Sequence, residues 1–189
     1  MITASVQLTS DVVMRPATQD DAAGLAHACL RSRDHLRPWE PDRDEAFYTP
    51  AGQSERLRAL LADREAGRGI PWVLEREDAA AEAGIVGAIS LSGIVLGPLR
   101  SGNVGYWIDA GEVGRGLASA ALARVCAAAD TELGLHRLAA GTLLDNRASQ
   151  RVLAKCGFEP YGIARNYLHI NGAWRDHRMF QKILHDRRP

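Results

Sequence analysis

Three glycines, Gly111, Gly114 and Gly116, lie within six residues and precede an alanine-rich segment. Glycine has no Cβ, so a bulky phosphate can approach the backbone closely at such positions. The first turn of a helix also presents unpaired N–H groups at the positive end of its dipole. Arg115 adds a fixed positive charge beside the turn. The pattern predicts a diphosphate-binding turn, although an ordinary strand-to-helix connection would use glycines in the same way.

The elements that would position this turn are a strand before it and a helix after it. Residues 105–109 have the aromatic and β-branched composition of a strand. After the turn, apolar residues recur every three or four positions and form one helical face: Leu117, Ala121, Val125 and Ala128. Residues 104–134 are therefore predicted to form a strand, a glycine-rich turn and a helix.

The turn does not match the phosphate loops of two common nucleotide-binding folds. A nucleoside triphosphate loop would end in Gly-Lys-Ser/Thr, which the sequence VGRGLAS lacks. A dinucleotide-binding turn would read Gly-x-Gly-x-x-Gly, but Ser119 stands at the last position and more than 100 residues precede the turn.

Residues 113–118 instead resemble the acyl-CoA pyrophosphate loop of the GNAT N-acetyltransferase superfamily, Gln/Arg-x-x-Gly-x-Gly/Ala. The last three positions fit this pattern, whereas Val113 replaces the usual Gln or Arg. The resemblance implies that acetyl-CoA is the cosubstrate. It also implies that one stretch of the chain binds the diphosphate: Gly114, Arg115, Gly116, Leu117, Ala118 and Ser119.

Composition predicts one globular domain over residues 1–189 with an ordinary core. Lys+Arg and Asp+Glu both number 23, and a net charge of zero argues against a general nucleic-acid or anionic-membrane binder.

Arg124 interrupts the longest apolar run, so no membrane span is expected. The N-terminus lacks the pattern of a signal peptide, and three unpaired cysteines suit a reducing cytoplasm. No histidine or cysteine spacing indicates a metal site.

Further along the chain, strand and helix patterns alternate. Strands are predicted at 12–15, 71–75, 85–91, 136–144, 165–170 and 173–184, and helices from Thr18 to about Arg33, at 53–65 and from Asn146 to Gly157. Asn171-Gly172 between two strand patterns predicts a hairpin. The order βααβββαβαββ is an α/β arrangement with one mixed sheet, and it matches the GNAT fold. The resemblance implies a splay between 105–109 and 137–144 that accommodates the pantetheine arm.

Direct acyl transfer from a thioester to an amine needs a donor for the carbonyl oxygen and a proton for the departing thiolate. By the resemblance, the main-chain N–H near Ile108 meets the thioester carbonyl. The family's Asn-x-x-Ser pattern matches Asn146, next to the pantetheine, and Ser149, near the thiol. Asn146 would also serve as a plain helix N-cap. Tyr161 and Cys156 are alternatives to Ser149 as the proton donor.

The acceptor end carries a second resemblance. Residues 35–45 (HLRPWEPDRDE) and 166–177 (NYLHINGAWRDH) are similar to the Rim-type ribosomal-protein alanine N-acetyltransferases, and the similarity extends from 13 to 184. It implies acetylation of a protein N-terminal α-amino group, with a ribosomal protein as the candidate partner. An α-amino group has a pKa of about 7.7–8.0, against about 10.4 for lysine, so only a modest base is needed.

Four carboxylates in 35–45 are candidates for that base and would also attract a basic peptide: Glu40, Asp42, Asp44 and Glu45. Glu40 is favoured because two prolines flank it and restrict its backbone. A solvated acidic loop with no part in catalysis remains the alternative.

The sequence therefore predicts an N-acetyltransferase that acts by direct transfer in a ternary complex, as a monomer or a homodimer. Two alternatives stay open. One is an enzyme of the same fold that acetylates a small amine such as an antibiotic or a polyamine. The other is a non-catalytic acyl-CoA-binding regulator, which would bind coenzyme A without transferring acetyl groups.

Overall fold

The computed structural model describes residues 4–78 and 84–188. Its strands are β1 (Val6–Gln7), β2 (Val12–Pro16), β3 (Ile70–Arg76), β4 (Ile85–Val95), β5 (Ser101–Ile108), β6 (Arg137–Leu143), β7 (Glu159–Ile170) and β8 (Ala173–Ile183). Its helices are α1 (Ala22–Arg31), α2 (Arg33–Leu36), α3 (Pro50–Glu65), α4 (Leu117–Thr131) and α5 (Arg147–Lys155). Short 3-10 turns lie at Gln19–Asp21, Glu45–Tyr48 and Ala110–Glu112.

The strands form one mixed sheet in the order β1-β2-β3-β4-β5-β6-β8-β7, in which only β5 and β6 run parallel. Buried residues of α4 and α5, such as Leu122 and Leu153, pack with Ile89 and Leu138 on one face. Leu25 of α1 and Leu57 of α3 belong to a second buried cluster. The sheet thus lies between two helical layers, and the predicted α/β class is confirmed.

The predicted splay is confirmed by the pairing of the two parallel strands. β5 and β6 are in register only at Ser101–Arg137, Gly102–Leu138 and Asn103–Ala139. Beyond Asn103, β5 continues to Ile108 without a described partner on that edge. Since backbone polar groups need hydrogen-bond partners, this open edge is suited to a ligand with amide groups.

Several predicted boundaries were wrong. The first helix breaks at Ser32, whose Oγ donates to Asp109 Oδ2 (3.0 Å), and α2 follows. α3 begins at Pro50 rather than at Gln53, because Thr49 Oγ1 caps the N–H of Gly52 (3.1 Å). Three strands are longer than predicted, since β4 ends at Val95, β5 begins at Ser101 and β7 begins at Glu159, and the short β1 was not predicted.

None of the helices in the described ranges combines the length and the hydropathy that a membrane span requires.

Candidate active site

A cavity of about 480 Å³ opens between the diverging strands β5 and β6. It extends from the start of α4 to the loop after α2, where His35 and Trp39 contribute to its wall. Nine of the ten predicted site residues line it: Glu40, Ile108, Gly114, Gly116, Leu117, Ala118, Ser119, Asn146 and Ser149. The tenth, Arg115, is not among its lining residues. This main cavity therefore brings together residues from four separate parts of the chain.

At one end of the main cavity, the N-terminus of α4 faces the open space. Gly116 is its N-cap, with φ of 80°, and no side chain caps the helix. Gly114 also has a positive φ, 87°. Only glycine adopts such angles readily, and a Cβ built at either position meets no described atom within 4 Å. The first-turn amides of α4 thus remain accessible to an anion.

The charge of Arg115 is used within the protein. Its guanidinium pairs with Asp11 (2.6 Å) and with Glu112. Glu112 is buried and also pairs with Arg76. Two carboxylates and two guanidinium groups balance one another, so the positive charge that Arg115 was expected to supply is neutralised within the protein. Arg151 and Lys155 also line the main cavity. What Arg115 still offers an anion is its backbone N–H.

Near the middle of the main cavity, two hydroxyl groups form a pair. Tyr106 Oη and Ser149 Oγ lie 2.9 Å apart, and Tyr106 Oη also lies 3.3 Å from the carbonyl oxygen of Ser149. Burial raises the pKa of Tyr106 to about 12, which outweighs the opposing effect of the hydrogen bond from Ser149. The phenol is therefore protonated at neutral pH and lies within hydrogen-bond distance of Ser149.

Asn146 is the N-cap of α5, which is one of its two predicted roles. Its Oδ1 accepts a hydrogen bond from the N–H of Ser149 (3.0 Å). The cap fixes the backbone of Ser149 and leaves the side-chain amide nitrogen as the remaining polar atom of Asn146. Contact between that nitrogen and a ligand stays a prediction.

The two alternative proton donors lie elsewhere. Neither Cys156 nor Tyr161 is among the described residues that line the main cavity. Cys156 Sγ donates to the carbonyl oxygen of Ser119 (3.4 Å), and burial raises the pKa of its thiol. Tyr161 is 50% exposed on β7. The geometry favours Ser149 over both.

Of the four carboxylates predicted near the acceptor, three bind neighbouring groups of the protein. Asp42 Oδ2 accepts from the N–H of Gly172 (2.9 Å), and Asp44 Oδ1 caps Phe47 (3.0 Å). Glu45 forms an ion pair with Arg33 (2.6 Å). The loop therefore presents less free negative charge than its sequence suggests.

Glu40 is the carboxylate of this group that lines the main cavity. Burial raises its pKa, while Arg43 and Arg56 lower it to a smaller extent. Arg43 Nε lies 3.8 Å from Glu40 Oε2, which is longer than a direct hydrogen bond. A half-buried carboxylate with a raised pKa and no short ion pair is suited to accept a proton.

Sequence reasoning missed several polar residues of the main cavity, among them Tyr106 and His177. Tyr106 is two positions before Ile108, so the period of two along a strand could have placed it on the same side. His177 is 3% exposed, and its Nδ1 lies 3.1 Å from the carbonyl oxygen of Arg175. Because a carbonyl only accepts, Nδ1 carries the proton. Local sequence gives no signal that His177 faces β6.

Comparison with known proteins supports an acyl-CoA site. Residues 11–159 match the family described as "Acetyltransferase (GNAT) domain". The Escherichia coli "[Ribosomal protein uS5]-alanine N-acetyltransferase" is 35% identical over 173 residues, which cover 91% of this chain and 88% of the relative.

Solved structures agree over nearly the whole chain. The ribosomal-protein-S5-alanine acetyltransferase from Vibrio fischeri superposes with a TM-score of 0.91 at 34% identity, covering 98% of this chain and 100% of the other. Mycobacterium smegmatis RimJ, solved in complex with CoA-disulfide, gives a TM-score of 0.85 at 33% identity, with coverage of 91% and 81%. This chain therefore belongs to the GNAT family and is an N-acetyltransferase.

Proposed function

We propose that the protein transfers the acetyl group of acetyl-CoA directly to the α-amino group of a protein N-terminus, as a single domain over residues 1–189. The observation that carries the proposal is the continuity of the main cavity. One space joins the amide-rich end of α4 to Glu40 at the acceptor end. Two substrates that lie in one cavity react without an acylated enzyme. The absence of cysteine among the described lining residues supports the same route.

On the donor side, the chain's own groups hold and orient the thioester. The first-turn amides of α4 bind the diphosphate, with Gly114 and Gly116 permitting its approach. The backbone N–H near Ile108 donates to the carbonyl oxygen as negative charge develops there. Ser149 Oγ gives its proton to the departing thiolate and takes one from Tyr106 Oη, 2.9 Å away, and solvent water then returns a proton to the phenolate.

On the acceptor side, Glu40 removes the proton of the amine, either directly or through one water molecule. The raised pKa of its carboxyl makes it a stronger base than an exposed glutamate. An α-ammonium with a pKa of about 7.7–8.0 loses its proton far more readily than a lysine with a pKa of about 10.4. A modest base thus favours an N-terminal acceptor.

The Escherichia coli and Vibrio fischeri relatives are named as acetyltransferases of a ribosomal-protein alanine, and this supports an alanine-type N-terminus as the acceptor here. We place the reaction in the cytoplasm, where ribosomal proteins are made, with the enzyme acting as a monomer or homodimer and without direct binding of nucleic acid or membrane.

A panel of basic peptides that differ in their first residue tests this function. Each is incubated with acetyl-CoA and analysed by mass spectrometry, with a polyamine and an aminoglycoside as small-amine comparisons. We expect one added acetyl group on the α-amine of the alanine-starting peptide. An N-terminally blocked peptide with an internal lysine should stay unmodified.

Two results would contradict the proposal. Turnover of the small amines without any peptide product would favour a small-amine acetyltransferase. Tight binding of acetyl-CoA without transfer to any amine would favour a regulator that binds the coenzyme.

A further inference from the structure

A second cavity, of about 200 Å³, adjoins the main cavity on the side of the sheet that α1 and α3 cover. Four residues line both cavities: Glu40, Gly105, Tyr106 and Trp107. The second cavity is therefore reached from the acceptor end, beside the carboxylate proposed to bind the amine.

The floor of the second cavity is made of small residues in the centre of the sheet. Ser90 of β4 is opposite Gly105 of β5 in the register, and Ala88 is opposite Trp107. A Cβ built at Gly105 meets only Ser90 Oγ, at 3.9 Å. Ala88 and Ser90 are half-buried and Gly105 is exposed, although they lie in central strands. The helical layer leaves a gap here, and small side chains keep the gap open.

The walls of this cavity are mainly apolar. They include Leu25 of α1, Leu57 and Leu60 of α3, and Val73 of β3. The charged lining residues are Glu40 and Arg56. An apolar space next to a guanidinium group disfavours a basic side chain and accommodates an uncharged one.

From this geometry we propose that the second cavity receives the side chain of the acceptor's first residue, and that it accommodates leucine- or methionine-sized groups. The inference rests on the proposed function, since it takes the α-amine to lie at Glu40. When the α-amine lies at Glu40, the Cβ of the same acceptor residue is two bonds from the nitrogen and lies towards the second cavity. A cavity of about 150 Å³ is enough to hold benzene, so the second cavity exceeds what an alanine methyl group fills.

The wild-type protein tests the size of the accepted side chain. Peptides that are identical except for a first residue of Gly, Ala, Val, Leu, Met or Lys are compared by kcat/KM. Each buried methylene group is expected to raise kcat/KM by roughly fourfold until the space is filled. Leucine- and methionine-starting peptides should therefore match or exceed the alanine peptide, and the lysine peptide should be the poorest.

A cavity-filling variant tests the location. Ser90→Leu should lower the ratio of kcat/KM between the leucine and glycine peptides by at least about tenfold. One methylene group that no longer fits an apolar pocket costs a factor of about ten or more in kcat/KM. Ser92→Leu is the matched control. Ser92 lies two residues further along the same strand, is exposed and does not line the second cavity in the described residues. This control should leave the ratio unchanged. If Ser90→Leu does not fold, Ala88→Val carries the same test.

The possible outcomes separate this inference from the proposed function. Activity on glycine and alanine peptides with more than a tenfold loss on leucine and methionine would overturn the pocket and leave the function intact. An unchanged leucine-to-glycine ratio in folded Ser90→Leu or Ala88→Val would also overturn it. Failure of every peptide, with acetyl-CoA still bound, would overturn the proposed function as well.

Discussion

At the proposed coenzyme end of the main cavity, the candidate contacts are backbone amides from one contiguous segment, 113–119. At the proposed acceptor end they are side chains from segments far apart in the chain. Glu40 follows α2 and His177 lies on β8, and both line the main cavity, while Arg56 of α3 lines the adjoining second cavity. The first end depends on backbone angles such as the φ of 80° at Gly116, and the second depends on tertiary packing.

Contacts made by backbone amides depend less on side-chain identity than contacts made by side chains. At the start of the loop, the side chain of Val113 is exposed, with 55% of the residue accessible. An acceptor end built from side chains changes with each substitution. We therefore expect damage at the coenzyme end to be severe and general, and damage at the acceptor end to be milder and dependent on the peptide.

The largest effect is expected from Gly116→Val. The variant forces a β-branched residue to adopt a positive φ and places a side chain where the diphosphate approaches. Loss of two charge-assisted hydrogen bonds, at about 2 kcal/mol each, would raise the Kd for acetyl-CoA by roughly 10³-fold. Isothermal titration calorimetry with acetyl-CoA measures the change.

Gly67→Val is the matched control for this variant. Gly67 also has a positive φ (69°) with no described atom within 4 Å of a built Cβ, and it follows α3 away from the main cavity. The control should lose a similar amount of stability but retain its affinity for acetyl-CoA. Equal affinity losses in the two variants would show that strain, and not the blocked approach, is responsible.

The hydroxyl pair should give the next largest effect. Ser149→Ala removes the proposed proton donor and should lower kcat about 10²-fold, with little change in acetyl-CoA affinity. Tyr106→Phe should cost less, because water is able to replace its hydroxyl. The double variant should be no slower than Ser149→Ala, since the two groups act in one chain.

Tyr161→Phe, on the exposed part of β7, is the control for the loss of a phenol hydroxyl and should retain full kcat. A Tyr106→Phe variant slower than Ser149→Ala would make Tyr106 the direct proton donor.

The sequence predicted the backbone conformation of the proposed coenzyme end well because its determinants are local. Glycines with positive φ, the helix that follows and the Asn146 cap all lie within a few residues of one another. The same reasoning predicted the core strands and the Asn171-Gly172 hairpin, in which both residues have a positive φ. The errors arose where a long-range contact decided the outcome, as when Ser32 binds Asp109 and interrupts the first helix.

At the acceptor end, the sequence supplied candidates but could not rank them fully. Asp42 and Asp44 look equivalent to Glu40 in the sequence, yet one binds the hairpin and the other caps a 3-10 turn. The second cavity depends on the absence of a side chain at Gly105 and on a gap between helices. Neither its position nor its volume follows from the residues taken in order.

Glu40→Gln should have an intermediate effect and a characteristic pH dependence. In the wild type, kcat/KM for the peptide should fall as pH decreases through the raised pKa of Glu40, because the base becomes protonated. The variant should lose about tenfold in kcat/KM at neutral pH and should lack the limb due to Glu40, while both proteins keep the fall caused by protonation of the acceptor α-amine, whose pKa is about 7.7–8.0. A pH–rate profile of both proteins from pH 5 to about 9 makes the comparison.

Acetyl-CoA affinity should not change in Glu40→Gln, since Glu40 lies at the other end of the main cavity from α4. Glu45→Gln, which alters a carboxylate paired with Arg33, is the control and should keep the acidic limb. An unchanged profile in Glu40→Gln would assign the base to another group.

The smallest effect is expected from Asp42→Ala, which removes a contact between the acceptor loop and the hairpin. Asp42 accepts from the N–H of Gly172 and lies 3.7 Å from His169 Nδ1, with both side chains about half exposed. Exposed contacts of this kind contribute about 1 kcal/mol or less. We expect a two- to threefold rise in the peptide KM at unchanged kcat, because the variant weakens only the contact that holds the acceptor loop against the hairpin. Asp42→Asn keeps an acceptor for the Gly172 N–H and should restore most of the loss. A tenfold fall in kcat would instead make this end as sensitive to a single contact as the coenzyme end, and the contrast between the two ends would not hold.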